Sequence, residues 1–142
     1  MNMKKPAVAA WVVLVLFHMA LSSCQTDSTG PDPVDSRSNF LGVWTVNENW
    51  TKLTYEVSIT SNPSSSDGVF IENFAGSGAG VKTLATVSGN NITINPLPQT
   101  LSTGWIIDSG SGGLQGTTKI NWNYVFNDLA NTYTAIAVYT KK

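Results

Sequence analysis

The chain has 142 residues, 12% of them charged, and a formal net charge of −1. Its charged share is about half the ~25% of an ordinary globular chain, which argues against long exposed helices, coiled coils and nucleic-acid binding. One Cys and one His exclude an internal disulfide and a multi-cysteine metal site.

Lys4 and Lys5 precede an apolar run over residues 7–21 that only His18 interrupts. At about 1.5 Å per residue this run falls short of a ~30 Å hydrocarbon core. Behind two lysines it reads as a secretory signal. It ends in Leu21-Ser22-Ser23-Cys24, which resembles the bacterial lipobox. That resemblance implies a cleaved signal peptide over 1–23 and a lipidated N-terminus at Cys24. Removing residues 1–23 would leave 119 residues with no His. Six Lys and Arg would then face nine Asp and Glu, a net charge of about −3. Two or more acyl chains on Cys24 would hold the protein stably to a membrane. Gln25, where an Asp could stand, resembles the enterobacterial signal for outer-membrane delivery.

Residues 24–39 read as a flexible tether. They carry Gly30, Pro31 and Pro33, with Val34 as the one large apolar side chain. Such a segment has too little apolar surface to offset its ordering entropy. Asp27-Ser28-Thr29 resembles the Asp-Ser/Thr-X sites glycosylated on exported proteins of Bacteroidetes, though a plain linker accounts for it better.

From Phe40 onward the chain reads as short strands, and 40–142 is the expected folded domain. Over 52–60, Leu53, Tyr55, Val57 and Ile59 alternate with polar residues. Over 119–126, Ile120, Trp122, Tyr124 and Phe126 do the same. Period 2 marks half-buried strands. Shorter candidates are 43–47, 69–74, 81–87, 92–94, 105–108 and 133–140, making eight. Between them lie turn residues: a Pro and Asp-Gly loop over 61–68, Ser88-Gly89-Asn90-Asn91, and Asn95-Pro96-Leu97-Pro98, which stops a ladder. The glycine runs Gly76-Ser77-Gly78-Ala79-Gly80 and Gly110-Ser111-Gly112-Gly113 read as flexible hairpin loops. Neither has phosphate-cradle spacing or precedes a helix. Eight short strands with short connections predict an all-β, antiparallel, up-and-down meander closed into a barrel.

Gly42-Val43-Trp44-Thr45-Val46 resembles the opening strand of the lipocalin and fatty-acid-binding (calycin) barrels. The lipobox, the polar linker, Val87-Ser88-Gly89-Asn90-Asn91-Ile92-Thr93-Ile94 and the terminal Tyr139-Thr140-Lys141-Lys142 resemble the small lipocalin-like lipoproteins of Bacteroidetes. The resemblance implies that Trp44 closes one end of a barrel and that Gly42 permits tight packing there. Lipocalins also pack an Arg of the last strand over this Trp, whereas the one Arg here, Arg37, lies in the tether. The domain is short for a lipocalin, and its inward face is bulky, which predicts a shallow, largely filled barrel.

A mature chain without His or a free thiol lacks the usual base, metal ligand and nucleophile. Asp32 and Asp35 fall in the tether. Glu48, Glu56, Asp67, Glu72, Asp108 and Asp128 stand in separate strands or turns and read as solvated outward acids. No catalytic set, metal site or cofactor motif emerges, so the chain reads as a non-enzyme. The aromatics are the binding candidates. Trp44 and Trp122 lie in core registers. Trp50 and Trp105 flank strands where a barrel mouth would form, with Tyr55 and Tyr124 on the lumen face. An exposed ring there would stack on a glycan or cap a small apolar or amphipathic ligand.

Overall fold

The computed structural model describes residues 34–142. The readings of the signal peptide, of Cys24 and of Asp27-Ser28-Thr29 lie outside the described residues. The strands are β1 (Gly42–Glu48), β2 (Thr54–Ser61), β3 (Gly68–Glu72), β4 (Lys82–Ser88), β5 (Asn91–Ile94), β6 (Gln99–Thr100), β7 (Ile106–Gln115), β8 (Lys119–Asn127) and β9 (Thr132–Lys141). All pairings are antiparallel, and sequence neighbours lie side by side from β1 to β5 and from β7 to β9. Two further pairings close the ring, β1 with β9 and β5 with β7. The result is an eight-stranded meander barrel. The two-residue β6 is an extra ribbon on the start of β7, with Gln99 opposite Ile107.

Alternation decides which side chains fill the lumen. Trp44 and Val46 of β1, Val57 and Ile59 of β2, and Ile120, Trp122, Tyr124 and Phe126 of β8 are all buried. Burying each large apolar side chain contributes about 1.5–3 kcal/mol. Leu53 is exposed, because β2 begins one residue after it.

Gly110-Ser111-Gly112-Gly113 is not a loop. It lies within β7, paired with β8 on one side and with β5 on the other. The reason is steric. A Cβ on Gly110 would stand 2.6 Å from Ile94 Cγ1, and one on Gly112 would stand 2.9 Å from atoms of Ile92, Ile120 and Trp122. Glycines at these inward positions let β5 approach β7 and leave lumen space for their neighbours' large side chains.

The prolines act as expected, and β5 ends at Ile94 before Asn95-Pro96. The edge of β4 is then completed by a side chain. The Gln99 Oε1 accepts from the Leu84 N–H at 2.8 Å, and its Nε2 donates to the Leu84 carbonyl at 2.8 Å. This amide stands in for one ladder pair, so the backbone groups there keep partners.

One end of the barrel is shut by Phe40 and Trp44. The Trp44 Nε1 donates to the Phe40 carbonyl at 2.8 Å. Lys141 of β9 lies with Nζ 5.2 Å from the Trp44 ring centroid and donates to the Asn39 carbonyl at 3.0 Å. A last-strand cation therefore covers Trp44, a Lys where the resemblance implied an Arg. Gly42 has φ +124°, a backbone that favours glycine, and a Cβ there would meet Lys141 Cε at 3.5 Å.

The tether reading needs a correction at its C-terminal end. Residues 35–39 form turns docked on the β2–β3 loop. Arg37 Nη1 donates to the carbonyls of Asn62, Ser65 and Gly68 at 3.2, 2.7 and 3.2 Å. Its Nε and Nη2 grip the Asp35 carboxylate. A guanidinium fork, rather than apolar burial, orders this stretch, which is why composition alone did not register it.

Candidate functional site

The end opposite Trp44 is built by the four connections β1–β2, β3–β4, β5–β7 and β8–β9, and it holds a pocket. Along β1 the inward positions are Trp44, Val46 and then Glu48, the last residue of the strand. Glu48 is 2% exposed, not the solvated outward acid its type suggests, because strand parity carries it to the lumen side. Its Oε2 accepts from Thr51 Oγ1 at 3.0 Å. Burial pushes the Glu48 carboxyl above the ordinary glutamate range, and the Thr51 hydrogen bond only partly opposes this.

The β1–β2 loop is anchored by Asn49, which exchanges hydrogen bonds with β9. Its N–H donates to the Ile136 carbonyl at 3.0 Å, and its Oδ1 accepts from the Ile136 N–H at 2.8 Å. This places Trp50 over the mouth, with its ring centroid 4.3 Å from Tyr133 and 5.8 Å from Phe126. Trp50 remains 43% exposed. On the opposite side, the Leu101 N–H donates to the Trp105 carbonyl at 2.7 Å across a turn with Gly104 at φ +81°. Trp105 thereby stacks on Phe126 at 4.7 Å and on Tyr133 at 5.7 Å. The β8–β9 turn holds Tyr133 in place. Asp128 Oδ1 accepts from the N–H groups of Asn131 and Ala130, and Oδ2 accepts from the Tyr133 hydroxyl at 3.0 Å. The backbone donors, Asn131 first, hold Asp128 below the ordinary range, and the bond to Asp128 raises Tyr133.

The floor comes from the β3–β4 connection. Asn73 and Ala75 take left-handed conformations around a single 3-10 turn at Phe74–Gly76. The Asn73 side chain secures them by accepting from Gly78 N–H and donating to the Glu56 carbonyl, both at 2.7 Å. Phe74 is driven into the lumen, 5.3 Å from Trp122 and 4.9 Å from Tyr124. Ser102 Oγ donates to the Ser77 carbonyl at 2.8 Å and ties this floor to the β5–β7 connection. The resulting pocket has a volume of about 220 Å³ and is lined by Glu48, Trp50, Thr51, Ala75, Leu101, Thr103, Trp105 and Phe126.

Of the four aromatic candidates, the structure brings Trp50 and Trp105 together at this pocket. Tyr55 and Tyr124 do not line it. Tyr55 pairs with Val46, and Tyr124 lies two residues before Phe126 on β8, so register sets both one layer deeper. The hydroxyls of Tyr55, Tyr124 and Tyr139 and the Trp122 Nε1 are buried with no partner among the described residues. Burial raises Tyr55 and Tyr139 well above the usual tyrosine range, and the Glu48 charge adds to both shifts. Sequence reasoning missed Glu48, Phe126 and the small lining residues. For Glu48 a signal existed, since it shares parity with Trp44 and Val46. Among the described residues, no group of three His, Cys, Asp or Glu could hold a metal ion.

No family model matches the chain, and no curated protein matches it. Among solved structures it is similar to a redesigned β-barrel, with a TM-score of 0.52 and 13% identity over 76% of this chain and 96% of that one. That likeness concerns the fold alone.

Proposed function

We propose that the chain is a non-enzymatic, membrane-tethered lipoprotein whose lipocalin-like barrel binds a small apolar or amphipathic ligand, or a glycan, at its mouth. The pocket of about 220 Å³ under Trp50 and Trp105 carries this reading. Its walls are mostly apolar and aromatic, with a few polar groups, the usual makeup of a small-molecule site. Its volume lies below the ~300–1,000 Å³ of drug-sized sites, so it would take a small ligand or one end of a longer one. The Leu21-Ser22-Ser23-Cys24 lipobox supports anchorage through Cys24, and Gln25 supports outer-membrane delivery. Gly42, Trp44 and Lys141 support kinship with the small lipocalin-like lipoproteins of Bacteroidetes.

Titration of the full chain with lipid and glycan panels, followed by Trp emission, tests the reading. A saturable shift is expected with at least one ligand, and Trp50→Ala should weaken that binding by about tenfold, or about 1.4 kcal/mol. Silence across both panels would remove the proposal. It would leave the second reading, an envelope interaction module that displays its loops, which the filled lumen below Phe74 favours.

A further inference from the structure

Glu48 is an uncommon residue to find lining an aromatic pocket. Buried carboxylates are normally paired, because an isolated one loses its hydration without compensation. Among the described residues the ion pairs are Arg37–Asp35 and Lys142–Glu56, and Glu48 takes part in neither. Its one side-chain hydrogen bond, from Thr51, engages Oε2. A carboxylate offers about four acceptor sites, so most of its capacity is left without a hydrogen-bond partner among the described residues, and Glu48 lines the pocket. The partnerless hydroxyls of Tyr55 and Tyr139 in the layer below also feel its charge.

The other charged groups of this end do not supply a counter-ion. Lys82, which opens β4, holds its Nζ 5.4 Å from the Phe70 ring centroid, and Glu72 accepts from the Gly80 N–H. Asp128 is engaged by its own turn and by Tyr133. Asp108 accepts from the Asn127 side chain at 2.7 Å. Lys52 sits exposed in the β1–β2 loop. Three aromatic side chains, Trp50, Trp105 and Phe126, line the same space. Aromatic faces carry negative potential and attract cations, most strongly when water is excluded. A low-dielectric carboxylate and two indoles therefore make the same demand on an occupant, that it bring a positive charge on a compact apolar body.

Resting on the mouth-pocket reading above, we propose that this pocket takes the ammonium head group of a small alkylamine or quaternary amine, its charge set between the Glu48 carboxylate and the Trp50 and Trp105 rings. The small volume fits a head group alone, and any longer chain would leave through the open mouth past Trp50. An ammonium at this place offsets the cost of keeping Glu48 ionised under cover.

The test compares choline with 3,3-dimethylbutanol, which has the same shape without the charge. Both are titrated into the full chain in a sugar-headed non-ionic detergent and followed by Trp emission. Choline should bind at least about tenfold tighter, the equivalent of about 1.4 kcal/mol. Glu48→Gln should cut that preference several-fold, and a far-UV circular dichroism spectrum matching the wild type shows that the variant is folded. Equal binding of the two compounds, or a preference that survives Glu48→Gln, would overturn the head-group assignment and leave the mouth as a neutral apolar site. If neither compound binds while a lipid or glycan of the panels does, the head-group assignment fails and the mouth-pocket reading stands. If nothing binds in any titration, both fail.

Discussion

Glu48 is the residue whose surroundings depart furthest from what its type favours. Its carboxyl titrates above the ordinary glutamate range because burial penalises the charge. The native state therefore holds its proton at pH values where the unfolded chain has released it, and stability falls as pH rises through that window. Thermal unfolding of the wild type should show a rising midpoint as pH is lowered from neutrality toward the ordinary glutamate range. Glu48→Gln should raise the midpoint at neutral pH and flatten this dependence; a midpoint that drops on substitution would contradict the account. Tyr139 is a second test at this scale. Its hydroxyl is fully buried and has no partner among the described residues. An unpaired buried hydroxyl costs about 1–3 kcal/mol, so Tyr139→Phe should leave stability unchanged or raise it in chemical denaturation. A clear loss would mean that the hydroxyl is satisfied.

Among the elements, β7 departs most from local expectation. Its glycine run carries every composition signal of a loop, yet it is the strand on which the barrel closes. Gly112 faces inward between Ile92, Ile120 and Trp122, and any side chain there would be forced into them. Gly112→Val should destabilise by about 1–3 kcal/mol through overpacking, measured as a lower denaturant midpoint. Gly113, where an added Cβ meets nothing closer than 3.9 Å, should tolerate Ala far better. By contrast β2 and β8 were legible, because each alternates over a long enough run to fix which side faces the core. In β1 the same alternation carries Glu48 inward after Trp44 and Val46, against the outward preference of its residue type. Phe74 could not have been placed, since its lumen position depends on the left-handed turn at Asn73 and Ala75.

At the scale of the whole molecule the barrel has two unlike ends. One is packed shut by Phe40, Trp44 and the Arg37 clamp. The other carries the aromatic pocket. The aromatic pocket and the docked residues 34–41 thus lie at opposite ends, so a change at one should spare the other. Arg37→Ala should speed amide hydrogen exchange at Ser38, Phe40 and Leu41, whose N–H groups close the entry turns, and leave exchange in β8 and Trp emission at the mouth unchanged. Slowed or unaltered exchange at the entry turns would show that the clamp is not what orders them.

From the sequence alone one could read the strand periodicity, the inward faces of β2 and β8, the stops at Pro96 and Pro98, and mouth positions for Trp50 and Trp105. Local sterics and hydrophobic alternation act within a few residues, so they leave their pattern there. What the tertiary structure decided was closure of β5 onto β7 through Gly110 and Gly112, docking of Arg37 on carbonyls about thirty residues away, and convergence of Glu48 with the two indoles. Each depends on register accumulated around a closed ring. Period 2 determines the side on which a residue stands, while only closure determines what it stands beside.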